Sequence, residues 1–197
     1  MPYHLPEYVD QALGCFHTQT YPNKVLAPLD TSKMPLPIGT LRNLIIRDTP
    51  PGCVIAHWDR DDWSDPRRLE QQVEFMLAVG SGVVGYRDMP FYDEVTKQVT
   101  LYDSRRPTGY VLGTSLLYRR SVWEALPFPD SNDEDGAWQR QLGSAAIKSQ
   151  SSLPGPMMIA RIHPKNTSPK KGARYHPASP DLEKQVKSLL SGSIVAQ

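Results

Sequence analysis

Three aspartates stand between an apolar run and a helical pattern, and this arrangement constrains the fold most. Residues 53–57 predict a buried strand, Asp59, Asp61 and Asp62 follow it, and residues 65–79 have the apolar spacing of a helix. Neighbouring carboxylates repel each other, and burial strengthens the repulsion. A divalent cation removes that cost, because Mg²⁺ and Mn²⁺ bind carboxylate and phosphate oxygens. The stretch predicts a metal–diphosphate site at a strand end, with an acidic turn that caps the next helix as the alternative.

Helical and strand-like patterns alternate through the first half of the chain. Helices are predicted over residues 7–18, 40–48 and 65–79, and strands over residues 25–29, 53–58 and 82–86. This order is typical of an α/β layer with a parallel sheet. The second half is less regular, with a hairpin predicted at 89–101, strands at 113–118 and 157–162, and helices at 121–126, 133–142 and 181–190.

The composition excludes several classes of protein. A net charge of +1 gives no basic field that would recruit nucleic acid. Two cysteines, Cys15 and Cys53, predict free thiols in a reducing compartment, so we expect a cytoplasmic protein, with peripheral contact to a membrane as a second option. No apolar run approaches the ~20 residues of a transmembrane helix, and the first residues lack the pattern of a signal peptide.

Four segments resemble, in the same order, the motifs of family 2 glycosyltransferases with the GT-A fold. They are residues 5–24, 39–63, 113–135 and 162–168, which contain Arg42-Asn43, Asp59-Arg60-Asp61, Glu134-Asp135 and His163-Pro164-Lys165-Asn166. The resemblance implies a nucleotide-diphospho-sugar transferase fold over residues 1–168, with a mostly parallel central sheet flanked by helices. A Pro/Lys-rich segment and a C-terminal helix would follow over residues 169–197.

The resemblance also implies an activity, the metal-dependent, inverting transfer of a sugar from a UDP- or GDP-sugar to a hydroxyl acceptor that the sequence does not identify. The implied metal ligands for Mn²⁺ or Mg²⁺ are Asp61, Asp59 and His163. The implied nucleotide-sugar contacts are Asp30, Arg42, Asp59 and Asp62. Asp135 would be the general base, supported by Glu134. The chemistry is consistent, because a leaving diphosphate needs a cation and an attacking hydroxyl needs a base.

These residues also have plainer explanations. Glu134 and Asp135 are the acidic residues that a helix N-terminus prefers. His163 follows a predicted strand and would then be an ordinary loop histidine. Asp30 would cap a turn, and Arg42 would be a solvated charge on a helix.

The chain departs from the family at its start, where the usual first strand is missing, so we expect a fold shortened at the N-terminus. The gap would leave backbone groups unpaired. Either the chain fills the gap itself, or a partner or second copy covers it in a homo-oligomer, or the product has weak or no activity. The alternative function is therefore a catalytically degenerate protein that binds nucleotide sugar or a protein partner. Metal-dependent phosphoryl transfer is a third hypothesis.

Overall fold

The computed structural model describes residues 2–3, 8–31, 33–104, 109–166 and 174–192. Within these ranges the helices are α1 (Val9–His17), α2 (Ile38–Arg47), α3 (Arg68–Val79), α4 (Arg120–Ala125), α5 (Glu134–Leu142) and α6 (Pro180–Gly192). They match the predicted helices to within a few residues, because each buries an apolar face at helical spacing. No helix of the described part is long and apolar enough to cross a membrane.

The strands of the described ranges form three sheets. They are β1 (Pro2–Tyr3), β2 (Leu29–Asp30), β3 (Val54–Ala56), β4 (Trp63–Ser64), β5 (Val83–Tyr86), β6 (Asp88–Asp93), β7 (Val99–Asp103), β8 (Leu117–Arg119), β9 (Ile147–Gln150), β10 (Met158–Ile162) and β11 (Tyr175–Pro177). One sheet has the order β3-β8-β5-β9, a second has the order β11-β7-β6-β10-β4, and β1 pairs with β2.

Both larger sheets are mixed, which corrects the expectation of a mostly parallel central sheet. The pairs β5–β9 and β6–β10 are parallel, whereas β3–β8, β5–β8, β4–β10, β6–β7 and β7–β11 are antiparallel. The hairpin β6–β7 shows the reason, because a short turn joins antiparallel strands directly. In that turn Asp93 accepts hydrogen bonds from the amides of Val95 and Thr96.

The strand that leads into the aspartates is shorter and less buried than predicted. β3 covers only Val54–Ala56 and lies at the edge of the four-stranded sheet, and Val54 is 37% exposed. Of the predicted strand 25–29 only Leu29 is in a strand. The strands β4, β9 and β11 were not predicted, because short strands of mixed polarity carry little periodicity.

Near the two ends of the chain, β1 and α6 are the described elements that contact the rest of the fold. β1 pairs in parallel with β2, and α6 packs Val186 and Leu190 into the same apolar cluster as Ala12 of α1. Leu5–Glu7 of the first resembling segment, and residues 167–173 at the predicted domain boundary, lie outside the described residues. The missing first strand and the boundary at residue 168 stay predictions.

Candidate active site

The aspartate stretch lines a cavity of about 360 Å³. Other parts of the chain also line it, among them α2, the turn at Gly113–Ser115, the start of α5, and the end of β10 with the loop after it. Six of the eight predicted site residues line the cavity: Arg42, Asp59, Asp61, Asp62, Glu134 and Asp135. Asp30 is exposed beside the lining residue Thr31, and His163 reaches the site through Asp61.

Arg42 bridges two carboxylates at one side of the cavity. Its Nε donates to Oε1 of Glu134 at 2.8 Å and its Nη2 to Oδ1 of Asp59 at 3.2 Å. The Arg42 side chain is 10% exposed, so the explanation as a solvated helix charge is wrong. Burial by itself would raise the pKa of Asp59, but the charge of Arg42 and its hydrogen bond outweigh this effect and hold that pKa well below its usual range. Asp59 is therefore ionised and engaged by a protein cation.

Glu134 lies deeper than Asp59, with a side chain that is 4% exposed. Its burial raises the pKa of its carboxyl group, and the cation of Arg42 offsets part of that rise. The hydrogen bond with Arg42 fixes the first turn of α5 against α2. Glu134 thus anchors the helix that carries Asp135, which is compatible with the supporting role predicted for it.

Asp61 and His163, 102 residues apart in sequence, form a hydrogen bond of 3.0 Å between Oδ2 and Nε2. The amide of Lys165 donates to Nδ1 of His163 at 3.2 Å. Because Nδ1 accepts that hydrogen bond, the ring proton is on Nε2, which donates it in a hydrogen bond to Asp61. Nδ2 of Asn166 reaches the same carboxylate oxygen at 3.5 Å. The structure thus brings these two predicted site residues together.

His163 is supported by a network of residues that the sequence did not single out. The ring of Tyr8 stacks on the imidazole with 5.2 Å between ring centroids. Tyr8 donates its hydroxyl proton to Glu94 at 2.5 Å, and Arg161 donates to the other oxygen of Glu94 at 2.9 Å. These partners are 67 to 86 residues apart and show no local pattern, so only the fold brings them together.

Asp62 is buried and joins two elements of the site. The hydroxyl of Thr114 donates to one of its oxygens, and the amide of Arg161 donates to the other at 3.3 Å. Both carboxylate oxygens therefore have protein donors. The aspartate loop is fixed in this way to β10 and to the Gly113–Ser115 turn.

Asp135 lies directly against the Gly113 turn. A Cβ atom added at Gly113 would be 1.5 Å from Oδ2 of Asp135, so only glycine fits beneath this carboxylate. The carbonyl of Gly113 accepts a hydrogen bond of 2.7 Å from Nδ1 of His57, whose pKa is lowered by burial and by the charge of Arg42. The turn that touches Asp62 and Asp135 is thus held by His57, a buried and neutral histidine.

The donor groups at Asp61 fit a cation that arrives with its own oxygen ligands. The described part of the chain contains no cluster of three or more His, Cys, Asp or Glu side chains that could hold a metal ion. Asp61 supplies a carboxylate that the Nε2 proton of His163 orients, whereas Asp59 is engaged by Arg42. Mg²⁺ and Mn²⁺ are usually held by one or two carboxylates together with substrate phosphates. The residues present are compatible with that mode of binding.

The fold is similar to that of TarS from S. aureus. TarS 1–349 in complex with UDP superposes with a TM-score of 0.61 and 15% identity, over 99% of this chain and 64% of that one. The complex of TarS 1–349 with UDP-GlcNAc gives 0.60 and 15%, over 97% and 64%. A third structure, TarS 1–349, gives 0.59 and 17%, over 81% and 58%. This chain therefore spans less than two thirds of each TarS chain.

Identities of 15–17% show a shared fold and nothing beyond it. At that level the similarity supports the expected α/β fold. No protein-family model and no curated protein matches the sequence.

The Arg42 bridge gives the first testable prediction. Replacing Arg42 by Met keeps most of the side-chain volume but leaves two carboxylates without their buried cation, and we expect a loss of about 3 kcal/mol in the free energy of unfolding. Urea denaturation followed by circular dichroism measures it. The control is Arg47→Met on the same helix, since the Arg47 side chain is 67% exposed and its loss should change stability by less than ~0.5 kcal/mol. Equal stability of the two variants would contradict the bridge.

Proposed function

We propose that the protein is a metal-dependent, inverting glycosyltransferase that moves a sugar from a nucleotide-diphosphate donor to a hydroxyl acceptor. One observation carries the proposal: a single cavity is lined by Asp61, which His163 supports, and by Asp135. Asp61, the proposed diphosphate-side group, and Asp135, the candidate base, thereby line the same cavity. The similarity to TarS structures that contain UDP and UDP-GlcNAc favours UDP over GDP as the donor nucleotide.

In this proposal the leaving diphosphate lies against Asp61. Asp61 would hold Mn²⁺ or Mg²⁺, which when bound neutralises the charge of the leaving group. His163 would join as a ligand through Nε2 only after giving up the proton that it donates to Asp61. His163 keeps the carboxylate of Asp61 turned toward the cavity through its Nε2 proton. Arg42 and Asp59 line the same side, and Asp30 lies beside Thr31 at its rim. We assign that side to the nucleotide.

The acceptor hydroxyl would approach from the side of Asp135. A carboxylate within hydrogen-bond reach of the hydroxyl can take its proton as the new bond forms. The missing side chain of Gly113 leaves room for Oδ2 of Asp135, and the hydrogen bond of Glu134 to Arg42 holds the helix turn that carries Asp135. In this proposal the hydroxyl attacks the sugar from the face opposite the diphosphate, which is inversion.

A second candidate is a protein that binds nucleotide sugar without turning it over. The ion pair between Arg42 and Asp59 favours it, because one carboxylate of the aspartate pair is already neutralised by the protein. The same contact is compatible with catalysis if the nucleotide competes for Arg42. Turnover measurements separate the two candidates, since nucleotide affinity alone is common to both.

The role of Asp61 is tested by Asp61→Asn. We expect the Mn²⁺-dependent release of UDP from UDP-sugars to fall by about 100-fold or more, because the amide lacks the charge that holds the cation. Product release is measured by chromatography over a panel of UDP- and GDP-sugars. The matched control is Asp48→Asn at the exposed end of α2, whose side chain is 78% exposed and which should retain the wild-type rate. Equal turnover by Asp61→Asn and wild type would reject the metal site.

The role of Asp135 is tested by Asp135→Asn. We expect sugar transfer to fall by about 100-fold or more while the affinity for UDP stays within about threefold, because a base acts on the acceptor and not on the nucleotide. Glu124→Gln is the control, since the Glu124 side chain is 48% exposed on α4 and does not line the cavity.

Calorimetry gives the UDP affinity of both variants, and initial rates give their turnover. If Asp135→Asn weakened UDP binding by the same factor as it slowed transfer, the carboxylate would belong to the nucleotide site and not to the acceptor side.

A further inference from the structure

Aromatic rings from four segments form one wall of the cavity. Phe91 of β6, Tyr102 of β7 and Tyr175 of β11 contact one another, with ring centroids 5.3 Å apart for Phe91–Tyr175 and 5.1 Å apart for Tyr102–Tyr175. Tyr110 precedes the Gly113 turn and shares a side-chain hydrogen bond with Tyr102. All four residues line the cavity, and we call them the aromatic wall.

The aromatic wall presents two of its rings to the cavity. Phe91 and Tyr102 are 2% and 5% exposed and belong to the apolar core beneath. Tyr110 and Tyr175 pack against that core but are only half-buried. Core packing therefore accounts for the inner pair, whereas the outer pair retains accessible ring surface inside a cavity.

Tyr110, one of the two outer rings, lies near the candidate base. Burial raises the pKa of Tyr110, and the nearby Tyr102 hydroxyl and Asp135 carboxylate raise it further, so the charge of Asp135 acts on the Tyr110 hydroxyl. Asp135 and Tyr110 also meet the same turn, one through contact with Gly113 and one through the chain that leads into it. A molecule that binds against Tyr110 therefore lies in the same cavity as Asp135.

The chemistry of this wall selects for a ring that is apolar on its face and polar on its edge. The face of an aromatic ring carries negative charge density and attracts polarised C–H groups, as in edge-to-face pairs. Three of the four rings carry hydroxyls, and the polar residues Asn132, Asp133 and Lys165 line the same cavity. A lipid chain would lie against these charged and amide groups and would remove them from water. A pyranose ring offers C–H groups on its face and hydroxyls around its edge.

We propose that the aromatic wall is the acceptor subsite and that the acceptor is a pyranose sugar, stacked on Tyr110 and Tyr175 with one hydroxyl toward Asp135. The assignment of this ligand as acceptor rests on the proposed function, because it takes Asp135 as the base. The binding of a pyranose to the two tyrosines is a property of the wall and can be measured without turnover.

The test measures binding of methyl glycosides by ligand-observed NMR, with and without UDP and Mn²⁺. The probes are the methyl β-glycosides of glucose, galactose and N-acetylglucosamine, and the open-chain polyol sorbitol is the control ligand. We expect at least one pyranoside to bind and sorbitol not to bind. Tyr110→Leu and Tyr175→Leu should each weaken pyranoside binding about fivefold, because the stacking face is lost, while the Phe variants stay within about twofold.

Tyr21→Leu is the matched protein control, since Tyr21 is also half-buried but packs in a different apolar cluster and should leave binding unchanged. Thermal denaturation shows whether each variant is folded. If a Leu variant is not, the comparison of pyranosides with sorbitol on the wild-type protein still decides the test. Pyranosides that bind no better than sorbitol, or binding that is unchanged in both Leu variants, would overturn the acceptor subsite. Mn²⁺-dependent release of UDP from UDP-sugars by the wild-type protein is the separate test of the proposed function, so the two failures are distinguishable.

Discussion

One buried cation, Arg42, holds the candidate site together. It joins α2 to the aspartate loop through Asp59 and to the start of α5 through Glu134, with contacts of 3.2 and 2.8 Å. Carboxylates that close to each other would repel without a cation between them. The nucleotide side of the cavity and the helix that carries Asp135 therefore depend on a single guanidinium group for their relative position.

The remaining geometry follows from the short turn at Gly113–Ser115. Its carbonyl groups accept hydrogen bonds from His57 and Arg68, and the Thr114 hydroxyl donates to Asp62. The absent side chain of Gly113 makes room for the carboxylate of Asp135. One turn thus touches the aspartate loop on one side and the candidate base on the other, which is how residues far apart in sequence come to line a cavity of about 360 Å³.

Sequence reasoning succeeded where the signal was local or carried by a motif. Helical spacing predicted α1 to α3, and the resemblance brought Asp61 and His163 together across 102 residues. It failed where pairing partners are distant, because short strands such as β9 carry little periodicity and the mixed sheet order depends on contacts between remote segments. The contribution of Tyr8 and Arg161 to the site was not predicted for the same reason, since each bonds to a partner more than sixty positions away.

The central claim is that Asp61 holds a cation against a diphosphate. The most direct measurement is a crystal structure of the protein with Mn²⁺ and UDP both supplied in excess. The account predicts anomalous density for manganese beside Asp61, bridged to both phosphates of UDP, with Asp135 across the cavity. Ordered water alone at Asp61 under those conditions would contradict it.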